Sequence, residues 1–82
     1  METGASVMER SRIVKRSISI RGHKTSVSME KEFWDILLRI RAAEMSTVTA
    51  IVERIDLARD HGNLSSAVRL YVLKYVEQEG GK

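Results

Sequence analysis

The chain contains no cysteine, which excludes disulfides and thiolate zinc sites as staples for the fold. Histidine is nearly absent too. Two residues, His23 and His61, are too few for a metal site, so no metal and no other cofactor is expected. There is no proline, and no repeat is read along the chain. No apolar run approaches the roughly 18 residues that a membrane span needs. The N-terminal stretch METGASVMERSRIV lacks the apolar centre of a signal peptide. No membrane partner is expected, and the composition fits a cytoplasmic protein. A nucleophile–base–orienter set, a glycine-rich phosphate loop and a metal cluster are all missing, so no catalytic residue is assigned and the chain is not read as an enzyme.

What is present is a short, charged chain: 82 residues, 43% hydrophobic and 30% charged. That is one domain at most, and a domain of this size is marginal alone unless it is oligomeric. The charge is uneven. Residues 1–24 carry six basic side chains (Arg10, Arg12, Lys15, Arg16, Arg21 and Lys24) against Glu2 and Glu9, a net +4, and the rest of the chain is near neutral. A basic segment on a near-neutral body fits an anionic partner. It fits a solvated basic tail as well.

The hydrophobic period changes along the chain. Residues 1–12 are polar with few apolar anchors. In IVKRSISIRG the residues Ile18 and Ile20 alternate with Ser17 and Ser19, and in KTSVSM the residues Val27 and Met29 alternate with Lys24, Ser26 and Ser28. Even positions are apolar before Gly22 and odd ones after it, which a turn or bulge at Gly22 explains. From Phe33 the spacing becomes helical. Phe33, Ile36, Leu37 and Ile40 form a stripe widened by Trp34 and Leu38, and a helix over about Glu30 to Ala43 is expected. A second helix starts near Thr47 with Ser46 as N-cap and stops at His61-Gly62. Asn63 caps a third helix, whose stripe is Leu64, Ala67, Val68, Tyr71, Val72 and Tyr75. The domain division expected is a basic arm over 1–13, a folded unit over 14–79 and a tail over 80–82.

The order is thus strand, helix, helix, helix, and the class is mainly α. A lone strand has no partner in its own chain, and even a two-stranded hairpin is marginal. The simplest cure is symmetry: the strand pairs antiparallel with its copy about a two-fold axis, in an intertwined homodimer.

At KTSVSMEKEFWDIL followed by MSTVTAIVERID the sequence resembles the ribbon-helix-helix superfamily of DNA-binding repressors, the class that includes Arc and MetJ. The longer run VKRSISIRGHKTSVSMEKEFW is similar to an alphaproteobacterial subfamily, and with the third helix the likeness spans about residues 14–76. The resemblance implies a homodimer on double-stranded DNA in the bacterial nucleoid, with Lys24, Ser26 and Ser28 entering the major groove. It implies that Thr25, Val27 and Met29 face a dimer core, joined by Phe33, Trp34 and Leu37. Ser46 and Thr47, at the start of the second helix, are expected at phosphates, as are Arg16, Arg21 and His23 around the ribbon. One departure stands out: Glu44 occupies the turn where many members have glycine. Two other readings stay open, an antitoxin-type regulator that also binds a toxin, and a protein-interaction module that does not bind DNA. The residues also leave open whether IVKRSISI adds a strand to the ribbon or is an arm ordered on DNA.

Overall fold

A computed structural model describes residues 12–59 and 62–80. The arm up to residue 11, His61 of the expected second-helix stop and the last two residues of the tail lie outside them. The elements run β1 (Ile13–Ile20), β2 (His23–Glu30), α1 (Lys31–Ala43), α2 (Val48–Ala58) and α3 (Leu64–Gly80).

The strand at HKTSVSM was expected to lack a partner in its own chain. It has one: β1 and β2 form an antiparallel hairpin. The connection is two residues long, and both take positive φ, Arg21 at 51° and Gly22 at 83°. That is the signature of a type I′ turn, whose twist matches that of the paired strands. The turn also accounts for the phase change at Gly22. The register sets Ile20 against His23, Ile18 against Thr25, Arg16 against Val27 and Val14 against Met29 on one face, and Ile13 against Glu30, Lys15 against Ser28, Ser17 against Ser26 and Ser19 against Lys24 on the other. Even positions before the turn and odd positions after it therefore share a side. The segment IVKRSISI is a strand of the fold.

The register also corrects the reading that the chain has no repeat. KRSIS at 15–19 and KTSVS at 24–28 share the pattern Lys-x-Ser-(Ile/Val)-Ser. The two copies lie antiparallel, with Ser17 opposite Ser26 at the centre.

The hairpin is stabilised by what lies beneath it. Ile18, Ile20, Val27 and Met29 are buried against Trp34, Leu37 and Ile40 of α1, Ile51, Val52 and Ile55 of α2, and Leu64, Val68 and Val72 of α3. Burying a side chain of this kind contributes about 1.5–3 kcal/mol, so the shared core offsets the marginality of an isolated hairpin. The residues assigned by sequence to a dimer core find their burial within one chain: Val27 and Leu37 are 0% exposed, Met29 1% and Trp34 2%. Phe33 is partly buried against the same cluster. The indole N–H of Trp34 donates to the Val14 carbonyl at 2.9 Å, tying α1 to β1.

Helix ends fix the approach of the elements. The Lys31 N–H donates to the Arg12 carbonyl at 2.8 Å, which anchors the start of α1 beside the start of β1. α1 ends in a Schellman arrangement: Met45 N–H donates to the Ala42 carbonyl and Ser46 N–H to the Arg41 carbonyl. The left-handed residue there is Met45, at φ 54°, while Glu44 stays right-handed. The N-cap of α2 is Thr47, not Ser46: its hydroxyl accepts from the Ala50 N–H at 3.0 Å. α2 stops at Ala58, ahead of Gly62, which does take a positive φ. Asn63 caps α3 as expected, accepting from the Ser66 N–H at 2.7 Å. α3 continues to Gly80, into the stretch expected as tail.

Candidate nucleic-acid interface

The unpacked face of the hairpin is made of Ile13, Lys15, Ser17 and Ser19 from β1 and Lys24, Ser26, Ser28 and Glu30 from β2. Alternation puts the three residues expected to meet bases, Lys24, Ser26 and Ser28, on this side. Lys24 and Ser26 are exposed, and Ser28 is half-buried. Apart from exposed Ile13 at its end, the face is polar and cationic. Its one carboxylate, Glu30, is paired with Arg69 of α3 at 3.2 Å. Ser17 and Ser19, which face out with Lys15 beside the expected three, were not singled out by sequence. The nine-residue repeat was the signal that could have found them.

The two edges of β2 differ. β1 holds one. On the other, the Ser28 N–H donates to the Ser65 hydroxyl of α3 at 2.9 Å. Covering an edge with a helix is a common way to keep a strand from pairing with another chain. Within one chain the ribbon is the β1–β2 hairpin, and the second edge of β2 is tied to α3 at Ser28.

The residues expected at phosphates are placed unequally. Arg16 projects on the packed side, where its guanidinium lies 5.3 Å from the centre of the Trp34 ring at the margin of the hairpin. Arg21 is drawn toward α2: its guanidinium reaches Asp56 at 2.7 Å and its backbone N–H donates to the Glu53 carboxylate at 3.3 Å. The carboxyl of Asp56 is held below the ordinary carboxylate range by its hydrogen bonds, first with Arg59 and then with Arg21. His23 is exposed beside the turn. Among the described residues no group of three or more His, Cys, Asp or Glu is placed to hold a metal ion, and no helix is long and apolar enough to cross a membrane.

Ser46 and Thr47 sit at the start of α2. Ala50 gives its N–H to Thr47, and the N–H groups of Val48 and Thr49, in the first turn, have no intrahelical acceptor among the described residues. This end lies close to the hairpin. Val48 lines a cleft with Arg16, Ser17 and Ile18 of β1 and Trp34 and Leu38 of α1. Glu44, in the turn before that end, has partners of its own. Its carboxylate accepts from Arg54 and from the Tyr71 hydroxyl, both at 3.3 Å.

A two-stranded ribbon, two helices joined by a tight turn, and a helix N-terminus beside the ribbon are thus present in one chain. The sequence profile of the ribbon-helix-helix domain matches residues 13–76. The chain belongs to the ribbon-helix-helix family. Members of this family are generally non-enzymatic proteins that bind DNA and form dimers. Among solved structures, an uncharacterized protein of Bordetella pertussis Tohama I is similar, at 30% identity and a TM-score of 0.73, over 99% of this chain and 74% of that one. No curated protein matches the sequence.

Proposed function

We propose that this ribbon-helix-helix chain is a sequence-specific DNA-binding protein, a homodimeric transcriptional repressor of the bacterial nucleoid, that sets the outer face of its hairpin into the major groove. The observation that carries this reading is the exposed row Lys24 and Ser26, with Ser28 beside it, on a strand whose other side is packed into the core. A ribbon fits a groove about 12 Å wide, and its outward side chains then meet base edges. Lys24 can donate to guanine O6 or N7, and the serines are short enough to allow close approach. The start of α2, with Ser46, Thr47 and the free N–H groups of Val48 and Thr49, suits a phosphate oxygen beside the groove. Arg16 and His23 add cationic or polar contacts at the margin. Arg21 contributes less, because Asp56 already holds its guanidinium.

A dimer is supported by apolar surface that the chain leaves uncovered. Leu57 of α2 is 72% exposed, and Leu70, Leu73 and Val76 of α3 are 56%, 45% and 41% exposed. Exposed apolar rows on a small domain mark interaction surfaces. In this reading two copies meet through helices. Sedimentation of the full chain is expected to give a dimer mass, and a monomer mass would remove the dimer while leaving the DNA reading intact.

The test of DNA reading is selection of a binding site from random duplexes, followed by affinity at fixed salt for the selected and a random sequence. Lys24→Ala is expected to weaken the selected site by about 1–3 kcal/mol and the random one less. An unchanged ratio in a folded variant would mean that the ribbon does not read bases.

A further inference from the structure

The two ends of α2 meet the hairpin differently. Its start lies beside Arg16, Ser17 and Ile18 of β1. Further along, Glu53 and Asp56 reach the hairpin tip. There Arg21 opens the turn at φ 51°, a conformation that Asn, Asp or Gly usually supplies. Its backbone N–H donates to the Glu53 carboxylate at 3.3 Å, and its guanidinium donates to Asp56 Oδ2 at 2.7 Å. Among the described residues no second acceptor meets that guanidinium, and the Arg21 side chain is 50% exposed. The Asp56 side chain is only 16% exposed and has a second cation. Its Oδ1 accepts from Arg59 Nε at 2.8 Å, and Arg59 also donates to the Gly62 carbonyl. Asp56 therefore stays paired whichever way Arg21 turns.

Resting on the DNA reading above, we propose that Asp56 is an internal competitor of DNA for Arg21: it holds the guanidinium against α2 in the free chain and yields it to a phosphate at the end of the ribbon. A carboxylate that accepts from two guanidinia offers them what a phosphate offers, paired anionic oxygens. A half-exposed ion pair contributes little, so the exchange costs little. The bond from the Arg21 N–H to Glu53 keeps the turn anchored while the side chain swings. Arg59 still neutralises the Asp56 carboxylate after the exchange, which limits its repulsion of the phosphate. The contact is thus autoinhibitory. It lowers affinity for duplexes of any sequence and leaves base reading to the outer face. The opposite role, with Arg21 as a shield that keeps the carboxylates of α2 from repelling DNA, predicts the opposite sign of coupling between the two residues.

The experiment uses the full chain, a selected and a random duplex over a series of salt concentrations, and four variants: Asp56→Asn, Arg21→Ala, the two combined, and Glu77→Gln. Glu77 is exposed near the end of α3, so its variant reports what the loss of any carboxylate does. Circular dichroism and melting confirm that each variant is folded. Asp56→Asn is expected to raise affinity for both duplexes by roughly threefold to fivefold, beyond the gain of Glu77→Gln. Arg21→Ala is expected to shallow the salt slope by about one unit, the loss of one phosphate contact. In the Arg21→Ala background the gain from Asp56→Asn is expected to shrink to that of Glu77→Gln. An unchanged slope for Arg21→Ala means that Arg21 never leaves Asp56, which overturns the inference and leaves the DNA reading standing. A gain from Asp56→Asn that persists or grows without Arg21 means that Asp56 acts on DNA by its own charge, and overturns it equally. If the unaltered chain binds no duplex at all, both fall.

Discussion

Ser26 and Val27 are adjacent in sequence and opposite in the fold. Val27 is 0% exposed and contributes to the common core, while Ser26 is exposed on the outer face. The same contrast recurs elsewhere. Arg21 is committed to Asp56, whereas Lys24, three residues on, makes no ion pair among the described residues. Thr47 is committed to Ala50, whereas Ser46 has no such bond from its hydroxyl among the described residues. Committed side chains hold the fold, and the uncommitted ones on the hairpin are those available to a partner. Stability and binding are therefore expected to separate residue by residue.

The sharpest break of that contrast is a charge placed on each side of the strand. Val27→Lys puts an unpaired ammonium into a fully packed site, in a core that buries no polar or charged side chain among the described residues. A loss beyond about 4 kcal/mol is expected, enough to abolish the folded spectrum by circular dichroism. Ser26→Lys adds the same charge one residue away and is expected to change stability by no more than about 0.5 kcal/mol. Equal melting curves for the two would mean that the hairpin does not pack through the Val27 face.

This difference between neighbours was legible in the sequence, because alternation with period two is a local pattern. The helices were legible for the same reason: Leu37, Ile40, Ile51, Val52, Val68 and Val72 fall at helical spacings and are buried. The partner of β2 was not. Strand pairing is settled between segments, and the strength of a type I′ turn at Arg-Gly, where Asn-Gly is the usual signal, was not apparent. Taking the β2 strand as unpartnered also placed Trp34 and Leu37 in a dimer core, and both are buried within the single chain. The tether of Arg21 to Asp56, 35 residues apart, lies beyond any local pattern. At α2 the cap was misplaced by one position, because Ser46 and Thr47 both carry a suitable hydroxyl and only the backbone decides between them.

That one-residue choice gives the next contrast. Thr47→Ala removes the hydroxyl that accepts from Ala50 and is expected to cost about 1 kcal/mol, read as a lower melting midpoint in urea. Ser46→Ala removes a hydroxyl that caps nothing and is expected to stay within about 0.5 kcal/mol. A larger loss for Ser46→Ala would return the cap to the position the sequence suggested.

The smallest effects are expected at Arg21 and Met45, the two non-glycine residues with positive φ among the described residues, and there the contrast concerns backbone and side chain together. Met45, at φ 54°, completes the Schellman turn with a side chain that is 92% exposed. A left-handed L-residue costs roughly 1–2 kcal/mol, and glycine removes that cost while losing about 0.5–1 kcal/mol through the greater freedom of the unfolded chain. Met45→Gly is therefore expected to raise stability by about 0.5–1 kcal/mol. Arg21, at φ 51°, carries the same backbone strain. Its side chain, however, holds Asp56, and a substitution to glycine gives that contact up. Arg21→Gly is thus expected to gain less than Met45→Gly, or nothing, in the same melting experiment. Equal gains would show that the tether between the hairpin tip and α2 adds nothing to the fold, which would free Arg21 to be counted with Lys24 among the cations available to DNA.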